Sequence, residues 1–310
     1  MSLIEKAAER LEKLREAGAL PAGNTDTPAA VPAPAVRSPA VPPAAPAPAA
    51  GAAPQASART VRIDLAGLAR DGMVTPDLPR TPIAEEYRVI KRPLLRNLQG
   101  KGAAAVDNGN LIMVSSALPG EGKSFTAINL AISIAMELDH TVLLVDADVS
   151  RPSVLQRLGL PPEKGLMDVL TGGAELGEVL LRTNVDKLTL LPAGRTHQRA
   201  TELLASDAMI ALLEEMATRY AERVIVFDSP PLLVTTEARE LATHMGQVVL
   251  VVEANRTTHA TVKQALATIE NCPVKLMVLN KAAERGPAGY YGYSYGYGHG
   301  HGNEAHPDAA

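Results

Sequence analysis

The sequence predicts an α/β fold, a mostly parallel sheet with helices on both faces. Three observations carry that reading. Aliphatic runs at 111–114, 142–145, 188–191, 224–227, 248–252 and 274–279 have the length and continuity of strands buried on both sides. Stretches of helical length separate several of them, which spells strand–helix–strand units. Two runs end in acids, Asp146-Ala147-Asp148 and Asp228. In an open parallel sheet the ligand crevice lies at that carboxyl edge.

The chain has 310 residues, enough for one large or two ordinary domains. It has no Trp and two Phe, so its core must be aliphatic. A formal charge of −4 gives no electrostatic footprint for nucleic acid, and no nucleic-acid partner is expected. The single Cys272 excludes an internal disulfide framework and a cysteine-built zinc site, and fits a reducing compartment. It reads as a small buried hydrophobe. The N-terminus mixes acids and bases, unlike a secretory signal. No apolar run approaches the ~20 residues that span a bilayer. A membrane role must therefore come through a partner.

Residues 1–17 read as a short amphipathic helix, with Ser2 as N-cap and Leu3, Ala7, Leu11 and Leu14 on one stripe. A helix this short is marginal alone, so it is expected to dock or to fray. Residues 18–82 read as a disordered linker. It is rich in Ala and Pro to about 59, then mixed in composition but broken at Thr75-Pro76 and Leu78-Pro79. The folded domain is expected over 83–284. It opens on a helical stretch, Ile83 to Arg92, that Pro93 should end or kink.

The run at 111–114 leads into Ala117-Leu118-Pro119-Gly120-Glu121-Gly122-Lys123-Ser124, and Phe125 onward reads as a helix. Strand, Gly-rich loop ending in Lys-Ser, and helix make a phosphate-binding loop. Backbone N–H groups at a helix N-terminus cradle a polyphosphate. Residues Pro119 to Phe125 are the candidate nucleotide contacts. Lys123 would reach the β- and γ-phosphates, and Ser124 would ligate Mg²⁺. Asp146 and Asp148 follow at the end of the second run, then Leu188-Thr189-Leu190-Leu191 and a helix over 201–219. Asp228, before Ser229-Pro230-Pro231, is the second magnesium candidate. A helix over 257–270 separates the last two strands. Asn280 ends the final strand, where its amide would meet the nucleotide base.

Residues 285–310 form a Tyr-, Gly- and His-rich tail. Tyr290, Tyr291, Tyr293, Tyr295 and Tyr297 lie within eight positions and have no helical or strand spacing.

Together, the loop, Asp146-x-Asp148 with Arg151-Pro152, Asp228-Ser229-Pro230-Pro231 and the tyrosine cluster resemble the bacterial protein-tyrosine kinases. The Met1–Lys6 start, the Ala/Pro linker, Glu85–Pro93 and Val251–Thr257 narrow this to the exosortase-A-associated tyrosine autokinases, which are encoded with exopolysaccharide genes. The resemblance implies a P-loop NTPase fold of the SIMIBI, MinD-like type and an ATP- and Mg²⁺-dependent autokinase. Ser124, Asp146 and Asp228 match its magnesium positions. Asp146 or Asp148 is the base toward the tyrosine hydroxyl, and the tail tyrosines are the phosphoacceptors. Glu85, Arg88 and Lys91 match an oligomerisation motif whose usual third residue is Arg. Lys91 keeps the charge without the planar fork. The implied partners are copies of the chain in a ring and a membrane-embedded polysaccharide chain-length regulator, placing the chain in the cytoplasm at the inner membrane. The alternative from another class is a partitioning ATPase of the MinD/ParA type without kinase activity. Those proteins carry a signature lysine early in the loop, where this chain has Leu118, and they lack tyrosine clusters.

Overall fold

The computed structural model describes residues 59–98, 106–219 and 223–282. The N-terminal helix, the linker up to residue 58 and the tail with its five tyrosines lie outside the described residues.

The strands are β1 (Arg59–Thr60), β2 (Leu111–Ser116), β3 (Thr141–Asp146), β4 (Leu181–Arg182), β5 (Leu188–Leu191), β6 (Arg223–Asp228), β7 (Gln247–Glu253) and β8 (Val274–Asn280). They form one sheet in the order β1-β4-β5-β3-β6-β2-β7-β8. Every pairing is parallel except β4 with β5. The helices are α1 (Leu65–Arg70), α2 (Pro82–Leu98), α3 (Lys123–Ala135), α4 (Val154–Arg157), α5 (Leu166–Leu170), α6 (Leu176–Val179), α7 (Ala200–Leu204), α8 (Asp207–Arg219), α9 (Thr236–Thr243) and α10 (His259–Ala267).

The six aliphatic runs become β2, β3, β5, β6, β7 and β8. The central strands are buried along nearly their whole length because helices cover both faces. On one face α1, α2 and α3 pack over Ile112, Val114, Leu144 and Val226. On the other, α5 to α10 pack over Met113, Val145, Phe227 and Leu250. Strand β2 lies between β6 and β7, and β6 beside β3. Their carboxyl ends therefore bring the phosphate loop, Asp146 and Asp228 together.

Three expectations need correction. The folded body includes residues 59–82 and does not begin at 83. Ile63, Leu68, Met73 and Val74 are core residues. Their backbone is also tied in. The Val61 N–H donates to the Arg182 carbonyl at 2.8 Å. Asn184 exchanges two hydrogen bonds with Ile63, at 2.7 and 3.1 Å, and the Val74 N–H donates to Asn129 Oδ1 at 2.6 Å. These non-local contacts outweigh the turn-forming prolines.

Of the two outcomes expected at Pro93, the helix end is the one overturned: α2 continues to Leu98. Leu94 and Leu95 are buried beyond it, and Gln247 Nε2 donates to the Leu94 carbonyl at 3.1 Å. The single helix expected over 201–219 is two. Ser206 interrupts it, and its carbonyl accepts the N–H of Met209 at 2.9 Å to start the second.

Candidate active site

Strand β2 delivers residues 117–122 to the N-terminus of α3. Gly120 and Gly122 have φ of 86° and 103°, in the left-handed region that favours glycine. A Cβ on Gly122 would lie 2.0 Å from Asn280 Nδ2, so this position admits no side chain without displacing the Asn280 amide.

The rest of the chain holds the loop in shape. Glu121 is buried. Its Oε2 accepts the Leu118 N–H at 2.7 Å, and its Oε1 accepts the Thr257 hydroxyl. Asn280 Nδ2 donates to the Glu121 carbonyl at 2.8 Å, and Lys281 Nζ to the Gly120 carbonyl at 2.7 Å. Lys281 also pairs with Glu253 at 3.2 Å. These contacts turn carbonyls and the Glu121 carboxylate away from the concavity. Its N–H groups and the positive end of α3 stay available to an anion.

Above the loop is a cavity of 710 Å³, lined by Pro119, Gly120, Gly122, Lys123, Ser124 and Phe125 on its floor. Asn280 also lines it, and so does Asp148. Of the loop residues expected to touch nucleotide, Glu121 alone turns inward as a brace. The Asn280 amide is engaged with that brace.

Lys123 is the electrostatic centre. Its Nζ lies 2.6 Å from Asp148 Oδ2 and 3.7 Å from Asp228 Oδ1, and it donates to Ser124 Oγ at 3.4 Å. Burial alone would lower its pKa. The carboxylates of Asp228, Asp148 and Asp146 overcome that and hold the ammonium above its ordinary value. Asp146 and Asp228 are register partners on β3 and β6, with exposures of 1% and 0%. Burial pushes Asp146 up to about 7, with repulsion from Asp228 added and the N–H groups of Val154 and Ser153 opposing it. Burial likewise pushes Asp228 up to about 6, against the pull of Lys123.

Asp146 Oδ2 accepts the N–H groups of Ser153 and Val154, each at 3.0 Å. Asp146 Oδ1 and both oxygens of Asp228 are buried without a hydrogen-bond partner. Three carboxylate oxygens without hydrogen bonds, one of them facing Lys123 Nζ at 3.7 Å, suit a hard divalent cation beside a serine hydroxyl. Among the described residues no three His, Cys, Asp or Glu converge as a complete metal cage. Mg²⁺ takes one or two carboxylates and completes its shell with water and phosphate.

The other expected residues are placed apart from the cavity. Glu85 and Arg88 pair with each other on α2, and Arg88 Nη2 donates to the Pro79 carbonyl at 2.7 Å. Lys91 is only 3% exposed. Its Nζ donates to the Ser133 carbonyl at 2.5 Å and pairs with Glu137 at 2.7 Å. It fastens α2 to α3 within one chain, so it presents no charge to a neighbour.

Two working residues went unread in the sequence as parts of the site, Thr257 and Lys281. Thr257 stands at the start of the helix expected over 257–270 and Lys281 just past the last strand, but their role is to brace Glu121 and Gly120. No local pattern announces a contact that spans more than 130 positions.

The fold and this site define a P-loop nucleotide-using protein. Residues 109–281 match the AAA domain family. Tyrosine-protein kinase YwqD of Bacillus subtilis is 32% identical over 219 residues, covering 69% of this chain and 88% of that protein. Succinoglycan biosynthesis transport protein ExoP of Rhizobium meliloti is 34% identical over 223 residues, covering 70% of this chain but only 27% of that longer protein. Among solved structures, the kinase domain of Escherichia coli tyrosine kinase ETK matches with a TM-score of 0.50 at 28% identity, over 58% of this chain and 72% of that one. The chain belongs to the bacterial tyrosine-protein kinases.

Proposed function

We propose that this kinase transfers the γ-phosphoryl group of ATP to its own C-terminal tyrosines, in trans within a homo-oligomeric ring, and so regulates exopolysaccharide polymerisation and export. The observation that carries the reading is the meeting of Lys123, Ser124 and three orphaned carboxylate oxygens at the phosphate loop. Phosphoryl transfer needs positioning and charge neutralisation more than covalent chemistry.

Lys123 neutralises the transferred group, and the α3 N-terminus holds the phosphates. Ser124, Asp146 and Asp228 would hold Mg²⁺, which would supply positive charge to the phosphate group being transferred. A phenol oxygen bonds to the γ-phosphorus as the bond to the bridging oxygen breaks. ADP leaves, and the phenol proton passes to Asp146 or Asp148. Tyr290, Tyr291, Tyr293, Tyr295 and Tyr297 are the acceptors.

The partner is a membrane-embedded chain-length regulator, which would hold the chain at the cytoplasmic face of the inner membrane. Among the described residues no helix is long and apolar enough to cross a membrane. The relative named as a transport protein, nearly four times the matched length, supports a membrane connection. In the ring, Glu85 and Arg88 remain on the surface of α2 for contact between copies, and Lys91 holds that helix in place.

From Lys281 to Tyr290 is nine residues, a reach on the order of 17 Å, and Lys281 sits on the chain's own phosphate loop. Transfer within one chain and between chains are thus both within reach, and a mixing experiment separates them. Lys123→Met protein is combined with an active chain lacking residues 285–310, with Mg²⁺-ATP and the activating partner. Mass spectrometry should find phosphotyrosine on the inactive chain's tail. A wild-type chain that stays unmodified under these conditions refutes autokinase activity. A labelled wild type with an unlabelled mixed tail refutes transfer in trans alone.

A further inference from the structure

Strand β8 ends the sheet, and among the described residues it pairs with β7 alone. An edge strand presents unpaired N–H and C=O groups along its open side. The side chains of β8 alternate. Leu276 and Val278 pack against the core on one face, while Lys275, Met277 and Leu279 are exposed on the other. Met277 and Leu279 are 62% and 64% exposed. Sheet edges are ordinarily blunted by charge, proline, a bulge or a cover, and this apolar pair calls for a cover.

We propose that the tyrosine segment of the same chain, Tyr291–Tyr297, docks on this edge as a ninth, antiparallel strand and lays its rings over Met277 and Leu279. The inference goes beyond the autokinase reading, because docking does not need the tyrosines to be phosphorylated.

Three features choose this occupant. The first is period. With Tyr290 counted the cluster follows no strand spacing, but Tyr291, Tyr293, Tyr295 and Tyr297 take every second position, with Gly292, Ser294 and Gly296 between them. In an extended segment all four rings lie on one face. The second is length. Tyr291 to Tyr297 is seven residues without proline, and β8 is seven residues. The third is the connection. Residues 281–290 give ten positions, with Gly286, Pro287 and Gly289 as turn formers, to reverse the chain across one strand spacing of about 5 Å. A parallel return would need a crossover of roughly a dozen residues or more. The chemistry also matches. A tyrosine ring is a large apolar body with a wet hydroxyl, and methionine sulfur packs favourably against aromatic rings. Main-chain bonds to the edge supply affinity, and the alternate rings supply specificity.

Docking bears on the site. The carboxyl end of β8 meets the phosphate loop, where Asn280 and Lys281 brace it. An antiparallel tail runs the other way, so Tyr297 would lie about 20 Å from that end. The docked tail holds its later tyrosines away from the phosphates. Its glycines make a weak strand, which lets it leave. A phosphate on a ring adds charge beside Met277 and Leu279 and disfavours its return.

NMR of isotope-labelled methionine methyls in the full-length protein reads the contact, with the Met277 signal assigned by its loss in Met277→Leu. Rings stacked on Met277 should move its methyl proton signal upfield. Deleting residues 285–310 should return that signal to the position of an exposed methionine and raise deuterium uptake by residues 274–280. Deleting residues 1–58 should change neither. In the full chain, Leu279→Lys should abolish the upfield shift. If that variant fails to fold, as read by thermal unfolding, the tail deletion decides. A Met277 signal unmoved by the tail deletion overturns the docking. A signal that moves without a change in deuterium uptake overturns the ninth strand. A shift lost on deleting 1–58 gives the edge to the N-terminal segment, and one lost on dilution gives it to another copy's tail; either overturns this inference. A chain that docks its tail yet forms no phosphotyrosine refutes the autokinase reading alone.

Discussion

Asp228 has both oxygens buried without a hydrogen bond, beside an equally buried Asp146. Lys123, 3.7 Å from Asp228 Oδ1, offsets the cost of this burial only in part, so the pair stays costly until a metal cation arrives. Its pKa values stand at about 6 and about 7 against an ordinary 3.8. Both groups therefore hold protons in the folded chain that the unfolded chain has already released. The sign follows: between about pH 4 and 7 the unfolded state binds fewer protons, so these groups lower metal-free stability as pH rises. Above pH 7 their effect is constant. Asp228→Asn removes one buried charge and the repulsion on Asp146. In metal-free protein at pH 7.5 we expect it to stabilise the chain by on the order of 1–3 kcal/mol, raising Tm by roughly 2–10 °C. The gain should shrink at pH 5, where Asp228 is largely protonated. Scanning calorimetry at the two pH values checks this. The same variant should lose Mg²⁺-dependent phosphotyrosine formation by about 100-fold or more. A variant less stable than wild type at pH 7.5 would mean that the orphaned oxygens carry no strain. The site would then be paying, in stability, for nothing.

At the scale of elements, the strands and the phosphate loop were legible because each is local. A buried parallel strand is a run of aliphatics, and a phosphate loop is a run of eight residues. Segment 59–82 was not legible. Its prolines read as breakers, while the contacts that order it lie far away in sequence, at Asn129, Arg182 and Asn184. The role of Lys91 was hidden for the same reason. Its spacing from Glu85 and Arg88 is a surface pattern, yet its partners are Ser133 and Glu137 on and just after the phosphate-loop helix. Glu121 looked like a nucleotide contact, and only Thr257, 136 positions on, shows that it faces inward. Where the folded body begins has a direct consequence. Removing residues 1–58 should leave Tm within about 2 °C of the full chain. Removing 1–82 strips Ile63, Leu68, Met73 and Val74 from the core and leaves Asn129 Oδ1 without its donor. Several buried aliphatics at about 1.5–3 kcal/mol each would be lost, so the shorter protein should aggregate or unfold well below the longer one. Equal melting curves for the two truncations would place the boundary at 83 after all.

At the scale of the whole molecule, the proposed reaction would change the charge of the enzyme that carries it out. The chain carries −4 before modification. Each phosphotyrosine adds about −1.5 to −2 at neutral pH. Five on one tail add roughly −8 to −10, so each copy would carry about −12 to −14. In the proposed ring, tails entering neighbouring sites would bring these charges close together, and their phosphates would meet Asp146, Asp148 and Asp228 without ATP to balance them. Like charges within a Debye length of ~8 Å at physiological salt repel. Phosphorylation should therefore shift the chain from ring to monomer. Light scattering after size-exclusion chromatography should show the large species before Mg²⁺-ATP treatment and the small one after it. Screening gives the control: raising salt to about 1 M shortens the Debye length to ~3 Å, and the phosphorylated chain should recover part of its large form. If the phosphorylated protein elutes at the unmodified mass in both salts, tail charge does not govern assembly. The tyrosines would then act on a partner and leave the ring intact.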